Sequence, residues 1–232
     1  MKEISIITGG SSGLGLSLAK KLIKAGENIA IVGRNEENIL KAKDFLLSEG
    51  NGEVLSYCGN ISDESFVKNL YSSLNKKQYI IKRLFNCAGV GKFGQPEITS
   101  REMINTVLEA SLIGLMLMSA NALEFMKQNG GQIINIMSSA ALKGNPTETV
   151  YCAAKWGARG YTEALRAATK GTNIHVIGMY PGGINTPFWK PDSGSSPDTS
   201  KFMDPDEVAE QIIYAISTRN SMYVSDCMLD RK

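Results

Sequence analysis

The chain has one histidine, His175, in 232 residues, and its four cysteines, Cys58, Cys87, Cys152 and Cys227, never stand as Cys-x-x-Cys. A protein-held zinc needs several His, Cys or carboxylate donors at short spacing, so no resident metal is expected, and scattered thiols predict reduced cysteines in a reducing compartment. Cys87 and Cys152 read as small buried hydrophobes. An excess of charge is lacking too: Lys+Arg 25 against Asp+Glu 23 leaves a formal +2 with no long basic run, which argues against a nucleic-acid binder. The most apolar stretch, Ala110 to Phe125, is broken by Ser111, Ser119, Asn121 and Glu124, and falls short of the roughly 20 residues of a membrane span, so a buried helix and no membrane partner are expected. No linker and no internal repeat divides the chain. With 43% hydrophobic and 21% charged residues it suits a single globular domain over 1–232. The first strand-like run starts almost at Met1, leaving no room for a charged, cleavable leader, and a cytoplasmic location is the expectation.

What is present begins with Ile4 to Ala25. A short apolar run, Ile4 to Ile7, predicts a buried strand, and Leu14, Leu18, Leu22 and Ala25 then recur at helical spacing. Between them lies Thr8-Gly-Gly-Ser-Ser-Gly-Leu-Gly15. Glycines allow a sharp turn and close approach of a ligand, and the following helix start offers unpaired N–H groups and a positive dipole end. Such a turn suits a phosphate.

The rest of the chain keeps a strand–helix rhythm. Strands are predicted at Asn28–Val32, Glu53–Cys58, Ile80–Phe85, Gln132–Met137, Asn173–Met179 and Met222–Ser225. Helices are predicted at Glu36–Glu49, from a Ser62 or Asp63 cap through Lys76, and at Ser100–Gln128, Thr149–Lys170 and Asp204–Ser217. Such alternation is the signature of right-handed βαβ units, hence an α/β fold with one Rossmann-type, doubly wound, mostly parallel sheet of about seven strands and helices on both faces. The long irregular segment from Pro181 to Met203, with a substrate-loop insertion around 184–203, reads as a lid.

In a dinucleotide fold the residue ending the second strand meets the adenosine ribose, an acid accepting from a free 2′-hydroxyl and a base pairing with a 2′-phosphate. Here that position holds Arg34, which favours NADP(H) over NAD(H). Tyr151 and Lys155 stand four apart near a helix start, so they share one face, and a fixed ammonium is expected to lower the phenol pKa. Ser138-Ser139, Asn86 to Gly89 and Pro181-Gly182-Gly183 each follow a predicted strand. They therefore converge with the Gly loop on the carboxyl edge of the sheet, where ligands bind. His175 lies inside a strand and is expected to be a packed or edge histidine and not a catalytic one.

These motifs resemble the short-chain dehydrogenase/reductase family from Thr8 to about Thr186. Thr8, Gly9, Gly13 and Gly15 match its cofactor loop, Asn86-Cys-Ala-Gly89 its Asn-Asn-Ala-Gly, and Tyr151-Cys-Ala-Ala-Lys155 its Tyr-x-x-x-Lys. Ser138 lies thirteen residues before Tyr151, the family's usual separation, and is preferred to Ser139 as the catalytic serine. The resemblance implies hydride transfer between a nicotinamide and the carbonyl of a small ketone or aldehyde, or the reverse alcohol oxidation. Ser138 would bond the carbonyl oxygen, Tyr151 donate its proton, and Lys155 hold the nicotinamide ribose. It further implies cofactor contacts from Ser11, Ser12, Leu14, Asn60, Ile61, Asn86, Ala88, Gly89, Pro181, Gly182, Ile184 and Thr186 as well as the loop glycines, Arg34, Tyr151 and Lys155.

Two positions depart from the family pattern: Ser111 stands where its fourth catalytic residue, an Asn, is expected, and Asn60 replaces an acid. Phe188 and Trp189, and more weakly Phe93, Ser139 and Tyr180, are candidate substrate residues, with Phe188 and Trp189 equally able to anchor the loop. The long helices at 100–128 and 149–170 could pair across a homodimer or homotetramer. A catalytically weak cofactor-binding sensor and a reductase of carrier-linked 3-oxoacyl chains remain as alternatives.

Overall fold

A computed structural model describes residues 1–189, 198–217 and 221–232. Seven strands form one wholly parallel sheet in the order β3-β2-β1-β4-β5-β6-β7. They are β1 (Lys2–Thr8), β2 (Asn28–Gly33), β3 (Val54–Cys58), β4 (Tyr79–Asn86), β5 (Gly131–Ile136), β6 (Ile174–Pro181) and β7 (Asp226–Leu229). The helices are α1 (Gly13–Lys24), α2 (Glu36–Glu49), α3 (Glu64–Lys76), α4 (Arg101–Leu108), α5 (Gly114–Met126), α6 (Thr149–Ala168) and α7 (Pro205–Ala215).

Strands of a parallel sheet covered on both faces must be apolar on both, and Ile4, Ile6 and Ile7 of β1 are all buried. Successive side chains then feed opposite layers. Ile7, Ile29, Ile31 and Ile177 pack with Leu18 and Leu22 of α1, Ile39 and Leu46 of α2, and Val208 and Ile212 of α7. Ile4, Ile6, Ile81 and Ile133 pack on the other side with Val67 and Leu70 of α3, Met118 and Ala122 of α5, and Leu165 of α6. Local chemistry sets the helix starts: Asn35 accepts from the Asn38 N–H, Asp63 from Ser65 and Phe66, Ser100 from Met103, and Asp204 from Asp206 and Glu207. Past the end of α1, Gly26 sits at φ +78°, the left-handed position that stops a helix.

Three sequence expectations are corrected. The last strand is Asp226–Leu229, not Met222–Ser225. Its register is set by polar contacts that an apolar pattern does not reveal: Asp226 Oδ1 accepts from the Tyr180 hydroxyl at 2.9 Å and from Arg166 Nη2 at 3.0 Å, beside the Gly178–Asp226 pairing. The predicted long helix has a π turn, Glu109–Ile113, between α4 and α5. This continuous Arg101–Met126 helix is also long and apolar enough, by length and composition, to cross a membrane. In the fold one side of it is packed away, with Val107, Ala110, Leu115, Met118, Ala122 and Met126 buried, while Ile113 and Met116 are exposed, as is Trp156 of α6. His175 of β6 stacks on Tyr223, ring centroids 4.5 Å apart.

Candidate active site

Between β1 and β4 the strand order reverses direction, and in such sheets the crevice that takes a ligand lies outside the carboxyl ends of the strands at this point. The Gly loop closes one wall. Gly9 and Gly13 adopt φ +66° and +51°, and a Cβ added to Gly15 would lie 2.3 Å from the Gly9 carbonyl oxygen, so the loop folds directly onto the first turn of α1. Thr8 Oγ1 accepts from the N–H groups of Cys87 and Ala88, both at 3.1 Å, tying the end of β1 to the segment after β4. Ser12 precedes α1 without a side-chain cap bond and lines the crevice together with Gly13, Leu14 and Gly15, whose first-turn N–H groups have no partner within the helix.

A cavity of about 580 Å³ runs along this wall from Gly9 and Ser12 to Gly15, past Cys87, Ala88 and Gly89, to Ser138, Ser139, Tyr151, Lys155, Pro181, Gly182, Ile184 and Thr186. A second hollow of about 240 Å³ shares Gly9, Ala88 and Gly89 with it and reaches Ser11, Arg34, Asn60 and Ile61. Together they form one groove with an exposed arginine at one end and a buried Tyr–Lys pair at the other. Thr8 and Asn86, expected as cofactor contacts, line neither hollow. Both are buried behind it. Asn86 Nδ2 donates to Ser119 Oγ at 2.9 Å and Asn135 Oδ1 at 2.8 Å, and Asn135 Nδ2 to Thr162 Oγ1 at 2.9 Å, a network bracing β4 against β5, α5 and α6. Asn60 Oδ1 accepts from the Ser62 N–H at 3.1 Å, so part of its acceptor capacity is engaged in its own turn.

At the inner end, Ser138 starts a short 3₁₀ turn, its Oγ accepting from the Ala140 N–H at 3.1 Å. Burial pushes the Tyr151 phenol well above its ordinary pKa, the nearby Ser138 hydroxyl opposing and the Glu148 charge adding to the rise. Tyr151 is therefore protonated at neutral pH and placed as a proton donor. Lys155 Nζ donates to the Ile136 carbonyl at 3.0 Å and lies 5.6 Å from the Tyr151 ring centroid. Burial pulls its pKa from 10.5 down to about 8. The expected lowering of the phenol pKa by this ammonium is corrected, because the ammonium is engaged by Ile136 and burial dominates the phenol.

A buried lysine with a depressed pKa binds its proton less well folded than unfolded, so between pH 8 and 10 the folded state gains relative stability as pH rises. Urea titrations across that window should show stability rising by roughly 1–3 kcal/mol more in the wild type than in Lys155→Met, which lacks the titrating group. Parallel profiles for the two proteins would contradict the burial of a charged Lys155.

Ser111 sits in the π turn, its Oγ accepting from the Val90 N–H at 3.3 Å and donating to the Val90 carbonyl at 3.5 Å. It braces the segment after β4 rather than lining the cavity, although a Cβ on Gly89 would come within 3.3 Å of its Oγ and 3.7 Å of Lys155 Nζ. Phe188 and Trp189 do line the cavity, and Trp189 Nε1 also donates to the Ile184 carbonyl at 2.9 Å, so Trp189 both walls and anchors. Phe93 stands behind them, edge-on to Tyr151 at 5.7 Å and stacked on Trp189 at 5.5 Å. Tyr180, bonded to Asp226, faces away. Lys143, expected near the pocket as a scattered cation, lines the cavity, and the sequence reading missed Asn145, Glu148, Phe202 and Arg231, which also line it. Glu148 alone carried a local signal, three residues before Tyr151. The part of the predicted lid at 190–197 lies outside the described residues.

The profile of the short chain dehydrogenase family matches residues 3–195. Carbonyl reductase family member 4 of Danio rerio is 28% identical over 225 residues, covering 94% of this chain and 92% of that protein. A 3-oxoacyl-[acyl-carrier-protein] reductase of Homo sapiens is 31% identical over 191 residues, 82% and 79% of the two chains. The crystal structure of a short-chain dehydrogenase/reductase from Vibrio parahaemolyticus superposes with a TM-score of 0.87 at 31% identity, covering 98% of this chain and 96% of that one. The chain belongs to the short-chain dehydrogenase family of oxidoreductases, whose members act with a nicotinamide cofactor.

Proposed function

We propose that the protein is an NADP(H)-dependent carbonyl reductase, or alcohol dehydrogenase in reverse, acting on a small ketone or aldehyde. The observation that carries this reading is the meeting of Ser138, Tyr151 and Lys155, from two separate elements, on the wall of a cavity continuous with the Gly loop. The groove suits a dinucleotide: Gly9, Gly13 and Gly15 let the loop fold closely on itself and on its neighbours along the groove, and the N-terminus of α1 supplies donors and a favourable dipole. Pro181, Gly182, Ile184 and Thr186 would hold the nicotinamide end. When bound, the cofactor supplies the hydride.

The chain's own residues supply the rest. Ser138 and the protonated Tyr151 would grip the carbonyl oxygen, and Tyr151 would give up its proton as charge develops there. Lys155, held by Ile136 and mostly cationic at pH 7, favours that growing charge and can reach a ribose hydroxyl. The aromatic wall of Phe188 and Trp189 excludes water.

NADPH preference rests on Arg34, exposed at the outer end of the groove, where no carboxylate among the described residues lines the hollow to take a free 2′-hydroxyl. With a panel of ketones, diketones and aldehydes, NADPH should be oxidised faster than NADH. Arg34→Ala should raise the NADPH KM by about 10- to 100-fold while leaving the NADH KM within about threefold. Equal loss with both cofactors would remove the phosphate role. A second reading, reduction of carrier-linked 3-oxoacyl chains, is favoured by the exposed cations Lys143 and Arg231 at the cavity rim. Acidic carrier protein should then compete with small substrates at low salt.

A further inference from the structure

The substrate end of the cavity carries one carboxylate among the described residues. Glu148 ends the loop before α6, three residues ahead of Tyr151 and half-buried on the cavity wall. Asn145 Nδ2 donates to its Oε2 at 2.7 Å, which fixes the side chain, while Oε1 has no hydrogen-bond partner among the described residues. Its charge is close enough to act on the Tyr151 phenol. The cations that share the cavity do not neutralise it: Lys143 and Arg231 are exposed at the rim, Arg231 with its guanidinium 4.9 Å from the Phe202 ring centroid, and Lys155 is bonded to Ile136.

Glu148 lines the same cavity as Ser138 and Tyr151, so a substrate that fills it displaces water from the carboxylate. A half-buried carboxylate stripped of water and left unpaired is unfavourable, so an alkyl group placed there binds poorly and another carboxylate is repelled. A hydroxyl satisfies Oε1, and an ammonium does so with charge assistance. Phe188 and Trp189 line the same cavity, and an aromatic face tolerates a cation and gains nothing from an anion. Discrimination of this kind is strong because it depends on a polar protein group left unpaired by the wrong substrate.

We propose that Glu148 is the specificity-determining residue of the cavity, and that the substrate is a carbonyl compound that also carries a hydroxyl or ammonium donor for this carboxylate. This rests on the carbonyl-reductase reading above.

The test uses four ketones of one carbon skeleton that carry a methyl, hydroxyl, ammonium or carboxylate group at the β position, with NADPH in excess. In the wild type, kcat/KM for the hydroxyl and ammonium ketones should exceed that for the methyl ketone by about 10-fold or more, with the carboxylate ketone below it. Glu148→Gln keeps an acceptor oxygen without charge: the hydroxyl-to-methyl ratio should persist, the ammonium advantage should fall by about 10-fold, and the carboxylate ketone should improve. Glu148→Met should collapse both ratios. NADPH dissociation constants and melting curves confirm that the variants are folded, and the wild-type series stands without them. Turnover of all four ketones at rates within about threefold, or ratios unchanged in both variants, overturns the role of Glu148 while leaving the reductase reading intact. No turnover of any ketone by protein that still binds NADPH overturns both.

Discussion

Replacing Tyr151 by Phe is expected to lower kcat for ketone reduction by about 10³-fold while NADPH binding changes by less than about threefold. Only the hydroxyl group is removed. The ring keeps its edge-on contact with Phe93 at 5.7 Å and its contact with Phe188 at 5.6 Å, so the cavity wall persists. What is lost is the proton that meets charge developing on the carbonyl oxygen, a contribution of about 10² to 10⁴ when the donor is well placed. Ser138→Ala should have a smaller effect, near 10²-fold, because it removes one of two groups on that oxygen. Stability should fall by no more than about 1.5 kcal/mol in Tyr151→Phe, the net worth of a single side-chain hydrogen bond. Steady-state kinetics with a melting curve decide the matter: a variant retaining a tenth of wild-type kcat would show that the phenol is not the donor.

The second large effect belongs to Gly15→Ala. A methyl at this position would stand 2.3 Å from the Gly9 carbonyl oxygen and 2.8 Å from its carbon, against backbone that has no rotamer to yield. Gly9 is in turn held at φ +66°, and a Cβ on it would meet the Ala88 backbone at 3.0 Å, so the loop has nowhere to retreat. The turn must open or α1 must tilt. Overpacking of this kind costs about 1–3 kcal/mol, and in a domain of this size each kcal/mol shifts Tm by roughly 2–4 °C. The loss of function should exceed the loss of fold. Fluorescence titration should show NADPH affinity reduced by about 100-fold or more, since the displaced N–H groups are those that would meet the pyrophosphate. Unaltered affinity would mean that the loop is only a tight turn.

The parts of the fold that could be read from the sequence are those fixed by neighbours in the chain. The Gly loop announces itself because strand, turn and helix start are contiguous, and Tyr151 and Lys155 because one helical turn separates them. The caps Asp63, Ser100 and Asp204 act within three residues. What escaped the reading depends on distant partners. β7 takes its register from Asp226 meeting Arg166 and Tyr180, 60 and 46 residues away in sequence. Thr8 and Asn86 belong to the recognised motifs, yet their side chains turn inward to Cys87, Ala88, Ser119 and Asn135 and hold the loops in place instead of meeting a ligand. The Tyr151 titration was misjudged for a related reason. Spacing shows that Lys155 is near, but only packing shows that its ammonium points to Ile136 and that the phenol is buried. Arg231 and Phe202 reach the cavity from beyond β6, where no local pattern marks them.

The measurement closest to the central claim follows the hydride itself. NADPH carrying deuterium at the transferable position of nicotinamide C4 is incubated with the wild-type protein and a β-hydroxy ketone, and the product alcohol is examined by mass spectrometry and NMR. One deuterium on the carbinol carbon, in stoichiometric step with loss of the nicotinamide absorbance and absent with Tyr151→Phe, is the predicted result. Alcohol without label, or no alcohol from protein saturated with cofactor, would contradict it.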